Sequence, residues 1–207
     1  MLNLGCGATF HPDWINVDFQ ARGDKVLGYN LELGIPFADD SFDVVYHSHI
    51  LEHFSKKRGE FFLKECFRIL RPGGLLRVVV PDMENIARAY IQALNEAESA
   101  PGTDSDARQR HEWMLVELID QLTRRTSGGE MIKWWRKQPV PQQDFIFERL
   151  GDEARRWIAN NEGKTQTVPD REPALEPFQP DFLCSGELHR WMYDRISLKN
   201  ILAKLGF

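Results

Sequence analysis

The segment Leu2-Asn3-Leu4-Gly5-Cys6-Gly7 lies near the start of the chain, and Trp14-Ile15-Asn16-Val17-Asp18 follows it. Both contain the short apolar runs of buried strands, the first ending in a glycine turn and the second in a carboxylate. Glycine allows the backbone to approach a ligand closely because it has no Cβ. A carboxylate at the end of the next strand can accept hydrogen bonds from both hydroxyls of a ribose. This order of features predicts a parallel sheet that holds a nucleoside at its edge.

The first 82 residues alternate between strands and turns, with one helix. Further strands are predicted, in order, at residues 25–31, 43–48 and 75–80. The first of these is weakly patterned, whereas the other two are apolar enough for a parallel sheet covered on both faces. A helix is predicted at 57–70 from its apolar period, and Arg71-Pro72-Gly73-Gly74 ends it. Right-handed strand–helix–strand crossovers then make the sheet parallel.

The character of the sequence changes after residue 82. Helices are predicted, in order, at residues 83–99, 107–126, 145–160 and 196–205, with a proline-rich loop at 162–180. We therefore expect three parts: a cofactor-binding core at 1–82, a helical insertion or lid at 83–182, and a return to the core with a closing helix at 183–207.

The glycine turn does not fit the common phosphate-binding motifs. A dinucleotide fingerprint needs a third glycine that opens a helix, and Phe10 stands at that position. The gap between Gly7 and Asp18 is also too short for a helix as well as a strand, so a pyrophosphate would lack the helix N-terminus that binds it. A P-loop is excluded because no Gly-Lys-Ser/Thr lies in or directly after this turn. A nucleoside cofactor without phosphate is favoured.

Two later motifs extend the pattern, Pro36-Phe37 followed by Ser41-Phe42-Asp43, and the Arg-Pro-Gly-Gly turn. With them, residues 2–82 and the terminal Leu-Gly-Phe resemble a class I S-adenosylmethionine-dependent methyltransferase. The resemblance implies an α/β, Rossmann-like, mostly parallel sheet with flanking helices, a helical insertion after the fifth strand, and S-adenosyl-L-methionine as cofactor. The family continues past Gly-Phe into two antiparallel strands, which we expect to be missing here or replaced by the insertion. The "WINVD" loop resembles a bacterial subgroup that acts on small molecules or glycans.

The resemblance also implies which residues contact the cofactor. They are Asn3, Gly5, Cys6, Gly7, Asp18, Asn30, Leu31, Ser48, His49 and Leu51. Two positions depart from the family: Ala8 and Thr9 stand where many members have a third glycine, and Asn30 replaces the usual acid beside the adenine. An asparagine can still accept a hydrogen bond from an amino group.

Methyl transfer to a hydroxyl needs a base near neutrality, which points first to histidine. His49, where the fourth strand opens onto the cofactor, is the leading candidate for this base. His53 lies one helical turn later on the same face, and the alternative for His53 is that it caps or packs the start of the helix. Asp82 follows the fifth strand and is a base, a substrate contact or a helix cap. His189 is a further catalytic candidate. It lies in a segment that also carries Arg190 and two aromatic residues, which would suit a polar, ring-bearing acceptor.

A metal site built from His47, His49, His53 and Glu52 is the competing interpretation of this segment. His47 lies inside the strand, whereas catalytic metal sites draw three ligands into one cavity, so we predict no metal.

The composition restricts the kinds of partner and the location that we expect for this protein. The formal net charge is −5, which argues against a nucleic-acid partner. No apolar run is long enough for a membrane span, and we expect no signal peptide. The three scattered cysteines, Cys6, Cys66 and Cys184, indicate free thiols. We expect a cytoplasmic enzyme with a small-molecule or glycan acceptor, and a homo-oligomer is compatible with the sequence. The alternatives are a non-catalytic cofactor-binding protein, a protein methyltransferase and, less favoured, an NAD(P)-dependent oxidoreductase.

Overall fold

The computed structural model describes residues 1–102, 105–161, 182 and 186–207. It contains one five-stranded sheet in which all strands are parallel, in the order β3-β2-β1-β4-β5. The strands are β1 Leu2–Leu4, β2 Ile15–Asp18, β3 Val26–Gly28, β4 Phe42–Ser48 and β5 Leu70–Val79. The described residues also form seven α-helices: α1 Lys56–Ile69, α2 Met83–Ser99, α3 Asp106–Thr123, α4 Gly129–Trp135, α5 Gln143–Leu150, α6 Asp152–Asn161 and α7 Arg195–Leu205. The predicted Rossmann-like α/β class is confirmed.

The strand order places a crossover point between β1 and β4. From β1 the sheet grows through β2 to β3 on one side, and β4 and β5 lie on the other. Ligands of open parallel sheets bind outside the carboxyl ends of the strands at such a point. The fold therefore predicts a ligand site at the residues that follow β1, β2 and β4.

Two predicted strands, the third and the fifth, differ most from their predicted bounds. The third strand is shorter than predicted, because Asn30 accepts a hydrogen bond from the Glu32 amide (3.0 Å) and caps a short 3-10 turn at Leu31–Leu33. The fifth strand starts earlier, at Leu70, and the register with β4 shifts between Phe42 and Val44 to accommodate the Pro-Gly-Gly residues.

The single helix predicted at 145–160 is two helices, α5 and α6. Gly151 lies between them with a φ of 60°. Because this left-handed backbone suits glycine and interrupts a helix, it separates the two elements. The proline-rich loop at 162–180 and Cys184 lie outside the described residues, whereas Cys6 and Cys66 are buried free thiols.

The helix α1 shows how the core is built. Ser55 caps its first turn by accepting a hydrogen bond from the Arg58 amide (3.4 Å). One face then buries Phe62, Leu63, Cys66 and Ile69 completely. These side chains join residues of β1, β2 and β4 in one apolar cluster, which fixes the strand ends around the crossover.

The chain divides into two compact units. One consists of Met1–Glu84 together with His189–Phe207, and contains the sheet; the other is Asn85–Leu188, which has its own buried residues, among them Trp113, Trp134 and Trp135. The functional roles predicted for the three parts of the chain, including the lid, stay predictions. In the described part of the chain, no helix combines the length and the apolar character needed to cross a bilayer.

Candidate functional site

The loop after β1 is held against the end of β2. The amide of Gly5 donates to the carbonyl of Val17 (2.8 Å), and the amide of Gly7 donates to Oδ2 of Asp18 (2.8 Å). The other carboxylate oxygen, Oδ1, accepts from the Gln20 amide (3.2 Å). A carboxylate oxygen can accept more than one hydrogen bond, so Asp18 retains capacity for ligand hydroxyls. The structure thus brings the predicted glycine loop and the predicted ribose carboxylate together.

The two glycines of this loop have different surroundings. Both have positive φ, 65° at Gly5 and 57° at Gly7. A Cβ on Gly5 would lie 1.8 Å from Cδ1 of Ile50, whereas a Cβ on Gly7 would meet nothing within 4 Å. Gly5 is therefore required for packing against the segment after β4, and Gly7 faces open space beside Asp18.

Asn3 and Cys6 flank this loop on the protein side. Asn3 is buried within β1, where its amide donates to Oδ1 of Asn16 (3.2 Å), so part of its hydrogen-bonding capacity holds β1 to β2. Cys6 is also buried, and burial, with the nearby negative charge of Asp18, raises the pKa of its thiol. Cys6 is therefore a neutral thiol near pH 7, and both cofactor roles stay predictions.

The residues predicted to touch an adenine follow β3. The amide of Tyr29 donates to the backbone carbonyl of Asp18 (2.8 Å), which anchors this segment beside the end of β2. Asn30 caps the following turn, and Leu31 is buried in the core. Because the Asn30 oxygen accepts from Glu32, the predicted acceptor for an amino group is partly engaged.

The segment after β4 carries a histidine–carboxylate pair. Nδ1 of His49 lies 3.2 Å from Oε1 of Glu52, and the His49 side chain is 57% exposed while that of Glu52 is fully buried. His49 also has a φ of 54°, a conformation that is uncommon for a residue with a Cβ and that concentrates at functional sites. Ser48 is the last residue of β4, and Leu51 is fully buried.

Glu52 is an ionised side chain in a buried place. Burial by itself raises the pKa of this carboxyl, but the hydrogen bond with His49, a backbone hydrogen bond and the charges of His53 and His49 outweigh it, and the pKa is lowered. Behind Glu52, burial lowers the pKa of His47 to about 4, so His47 is a neutral core residue near pH 7. Its ring packs edge-on against Phe62, with the centroids 5.1 Å apart.

His189 returns to the same place from far along the chain. The backbone carbonyl of Glu52 accepts hydrogen bonds from the amides of Arg190 (2.7 Å) and Trp191 (3.2 Å), which pins this segment to the turn after β4. The rings of His53 and His189 are 5.0 Å apart between centroids, and His189 is buried. Two predicted catalytic histidines, His49 and His189, thus both lie close to Glu52.

Asp82, the third predicted catalytic residue, occupies a helix start. It is exposed, and its Oδ1 accepts a hydrogen bond from the Glu84 amide (3.0 Å), the geometry of a cap on α2. The structure supplies evidence for the cap, and a catalytic role of Asp82 stays a prediction.

Sequence reasoning missed the burial of Glu52 beside His49 and His189, and the position of Tyr193. Tyr193 is buried, and burial, with the charge of Glu52, raises the pKa of its hydroxyl to about 12. The available signal was a glutamate flanked by histidines at positions −3 and +1, which placed an acid between two bases. No local pattern could show that His189 and Tyr193 return to it.

Comparisons with known proteins find similarity to methyltransferases. Residues 19–78 match a family described as a methyltransferase domain. A probable S-adenosylmethionine-dependent methyltransferase of Mycolicibacterium smegmatis is 28% identical over 150 residues, which is 63% of this chain and 52% of that protein. A probable tRNA methyltransferase 9B of Mus musculus is 37% identical over 70 residues, 33% of this chain and 15% of that protein. The protein of the same description from Bos taurus is 35% identical over 72 residues. The chain thus spans about half, or much less, of the length of these curated relatives.

Proposed function

The core of this chain belongs to the class I S-adenosylmethionine-dependent methyltransferases, and from that premise we propose that the protein methylates a hydroxyl oxygen of a small molecule or of a sugar or glycan precursor. S-adenosyl-L-methionine is the cofactor of the family. The acceptor and the attacked atom are the new elements of the proposal, together with the role of each site residue.

The residues after β1 and β2 fit this cofactor. Gly7 leaves open space where a Cβ would stand, and Asp18 beside it carries a carboxylate suited to the two hydroxyls of a ribose. The loop lacks a helix N-terminus for a pyrophosphate, which a sulfonium nucleoside does not need. We assign Gly5, Cys6, Gly7 and Asp18 to the cofactor, with Asn30 and Leu31 at the adenine side.

The observation that favours an oxygen acceptor is the pair formed by His49 and Glu52. When bound, the cofactor supplies an electrophilic methyl group, so the protein mainly orients the acceptor and manages its proton. His49 is exposed at the carboxyl end of β4, and a buried carboxylate 3.2 Å from its Nδ1 orients the ring. In this arrangement His49 accepts the proton of an acceptor hydroxyl at Nε2.

The relatives described as tRNA methyltransferases do not change the class of acceptor that we propose. Their similarity covers about a third of this chain and 15–16% of their own length, and so carries no information on the rest of the acceptor site. The net charge of −5 also opposes a polyanionic acceptor. A small or glycan-like acceptor agrees better with both observations.

A methyl-transfer assay tests the proposal. The purified chain is incubated with methyl-labelled S-adenosylmethionine and separate panels of sugars and nucleotide sugars, small phenols and alcohols, peptides, and tRNA. We expect turnover with a hydroxyl acceptor that His49→Ala reduces by about 100-fold or more, the usual range for loss of a general base. The matched control is His11→Ala, since His11 is exposed in the loop before β2 and should leave turnover unchanged. Methylation of peptides or tRNA alone, or cofactor binding without turnover on any acceptor, would contradict the proposed acceptor.

A further inference from the structure

Three potential metal ligands lie close together at the turn after β4, and one of them is the Glu52 of the pair described above. One ligand atom each from Glu52, His53 and His189 lies within 4.8 Å of the other two. Glu52 and His53 belong to the 3-10 turn Leu51–His53 that follows β4, and His189 precedes the backbone hydrogen bonds that pin the returning segment to the Glu52 carbonyl. The backbone itself therefore holds these side chains together.

The carboxylate of Glu52 points to a cation. Its side chain has no solvent exposure, and Oε1 is engaged by His49. Oε2 is buried as well, and no described residue donates a hydrogen bond to it. The hydroxyl of Tyr193 is likewise buried without a hydrogen-bond partner among the described residues. A buried carboxylate oxygen is costly unless it is paired or coordinates a metal, so an unpaired Oε2 next to two imidazoles is an indication of a cation site.

We propose that Glu52, His53 and His189 bind a divalent transition-metal ion of the zinc type. Two imidazoles and one carboxylate are a donor set that suits Zn²⁺, Mn²⁺, Fe²⁺ or Co²⁺, whereas Mg²⁺ and Ca²⁺ prefer oxygen donors. Oε2 of Glu52 is the carboxylate ligand, and His49 on Oε1 is the outer-shell partner that orients it.

This site revises the metal-free prediction made from the sequence. That prediction weighed His47 as a ligand and found it inside a strand; in the structure His47 is a buried core residue, and the third ligand comes from His189 instead. Three protein ligands leave one position of a four-coordinate metal open. That position would take an oxygen of the acceptor, a role that rests on the proposed function, whereas the binding of the metal does not.

Metal binding is measured directly on the full chain without a polyhistidine tag, after removal of metals by EDTA and its exchange into a non-chelating buffer. Calorimetric titration with Zn²⁺, and the visible absorption of bound Co²⁺, should each show one site per chain. We expect His189→Ala and Glu52→Gln to weaken Zn²⁺ binding by more than about 100-fold, since even loss of an outer-shell partner costs about 10–100-fold. His49→Ala, which removes that partner, should fall within this smaller range.

Two variants keep the test decisive. His189→Cys supplies a different zinc ligand and should restore Zn²⁺ binding that His189→Ala loses, which a merely structural role of His189 would not explain. His11→Ala removes an exposed histidine elsewhere and should change nothing. Far-UV circular dichroism confirms that each variant is folded.

The proposal is wrong if the wild-type chain binds no Zn²⁺ or Co²⁺, or if the variants of His189 and Glu52 bind as the wild type does. Titration of the EDTA-treated protein with S-adenosylhomocysteine separates this outcome from the family assignment. Cofactor binding without metal binding would remove the metal site and leave the proposed methyltransferase intact.

Discussion

The close approach of Gly5 to Ile50 allows a quantitative test of how the glycine loop is built. A Cβ at Gly5 would lie 1.8 Å from Cδ1 and 2.1 Å from Cγ1 of Ile50, but 3.5 Å from its Cβ. Gly5→Ala therefore adds a steric overlap to the cost of a left-handed backbone. Gly7→Ala has the same kind of backbone and no neighbour within 4 Å, so it isolates the backbone cost.

The magnitudes follow from these distances. A left-handed backbone costs a residue with a Cβ about 1–2 kcal/mol, which is the expected loss of stability in Gly7→Ala. Overpacking adds about 1–3 kcal/mol, so Gly5→Ala should lose about 2–5 kcal/mol. In the background of Ile50→Ala only an ordinary contact remains, and the additional cost of Gly5→Ala should fall to the value for Gly7→Ala. The coupling energy between positions 5 and 50 is then about 1–3 kcal/mol.

Equilibrium unfolding in urea, followed by far-UV circular dichroism, measures all four members of the cycle and Gly7→Ala. Equal losses in Gly5→Ala and Gly7→Ala, or a coupling energy near zero between Gly5→Ala and Ile50→Ala, would refute the packing described for the loop.

Three other perturbations probe the site and its surroundings. Asp18→Ala should weaken S-adenosylhomocysteine binding by about 1–3 kcal/mol in calorimetry, because the ribose hydroxyls lose their acceptor, and unchanged affinity in a folded variant would remove Asp18 from the site. Tyr193→Phe should leave the free energy of unfolding unchanged or slightly raised, since the buried hydroxyl has no partner among the described residues, and a loss above about 1 kcal/mol would reveal a missed hydrogen bond. The side-chain hydrogen bond from Arg68 is the main cause of the lowered pKa of Glu65, so this pair stabilises the fold above the unfolded pKa, about 4.3, and the contribution is lost as the pH falls through the folded value. Glu65→Gln should therefore flatten the acid limb of the stability curve, and an unchanged limb would show that the pair contributes nothing.

The parts of the fold that depend on local pattern could be predicted from the sequence. β1, β2 and α2 have the predicted bounds, because apolar runs and glycine turns are local signals. The predicted fifth strand was short by five residues at its start, since the register shift opposite Phe42 and Val44 depends on the neighbouring strand. The predicted helix at 145–160 failed at Gly151, where an isolated glycine was tolerated in the pattern and the backbone instead took a positive φ.

The candidate site divides in the same way. The glycine loop and Asp18 could be predicted because each follows a strand and the two strands are consecutive in the sequence. Their order along the chain was therefore enough to predict that they lie close together. The burial of Glu52 and its approach to His189 could not be predicted, because they depend on hydrogen bonds between segments distant in sequence. Asp82 had two interpretations from the sequence, because the end of a strand is equally the place of a helix cap; the structure supplies the hydrogen bond of the cap, and the catalytic role stays a prediction.

The central claim, that the edge of the sheet at Gly5, Gly7 and Asp18 binds S-adenosylmethionine, has a direct test. The purified chain is titrated in a calorimeter with S-adenosylmethionine, S-adenosylhomocysteine and NAD(H), with Asp18→Ala as the site variant and Asp13→Ala, an exposed acid in the same loop, as its control. We predict micromolar binding of the first two ligands, weakened by Asp18→Ala alone, and no binding of NAD(H). Binding of NAD(H) alone, or binding of S-adenosylmethionine that is indifferent to Asp18, would contradict the account.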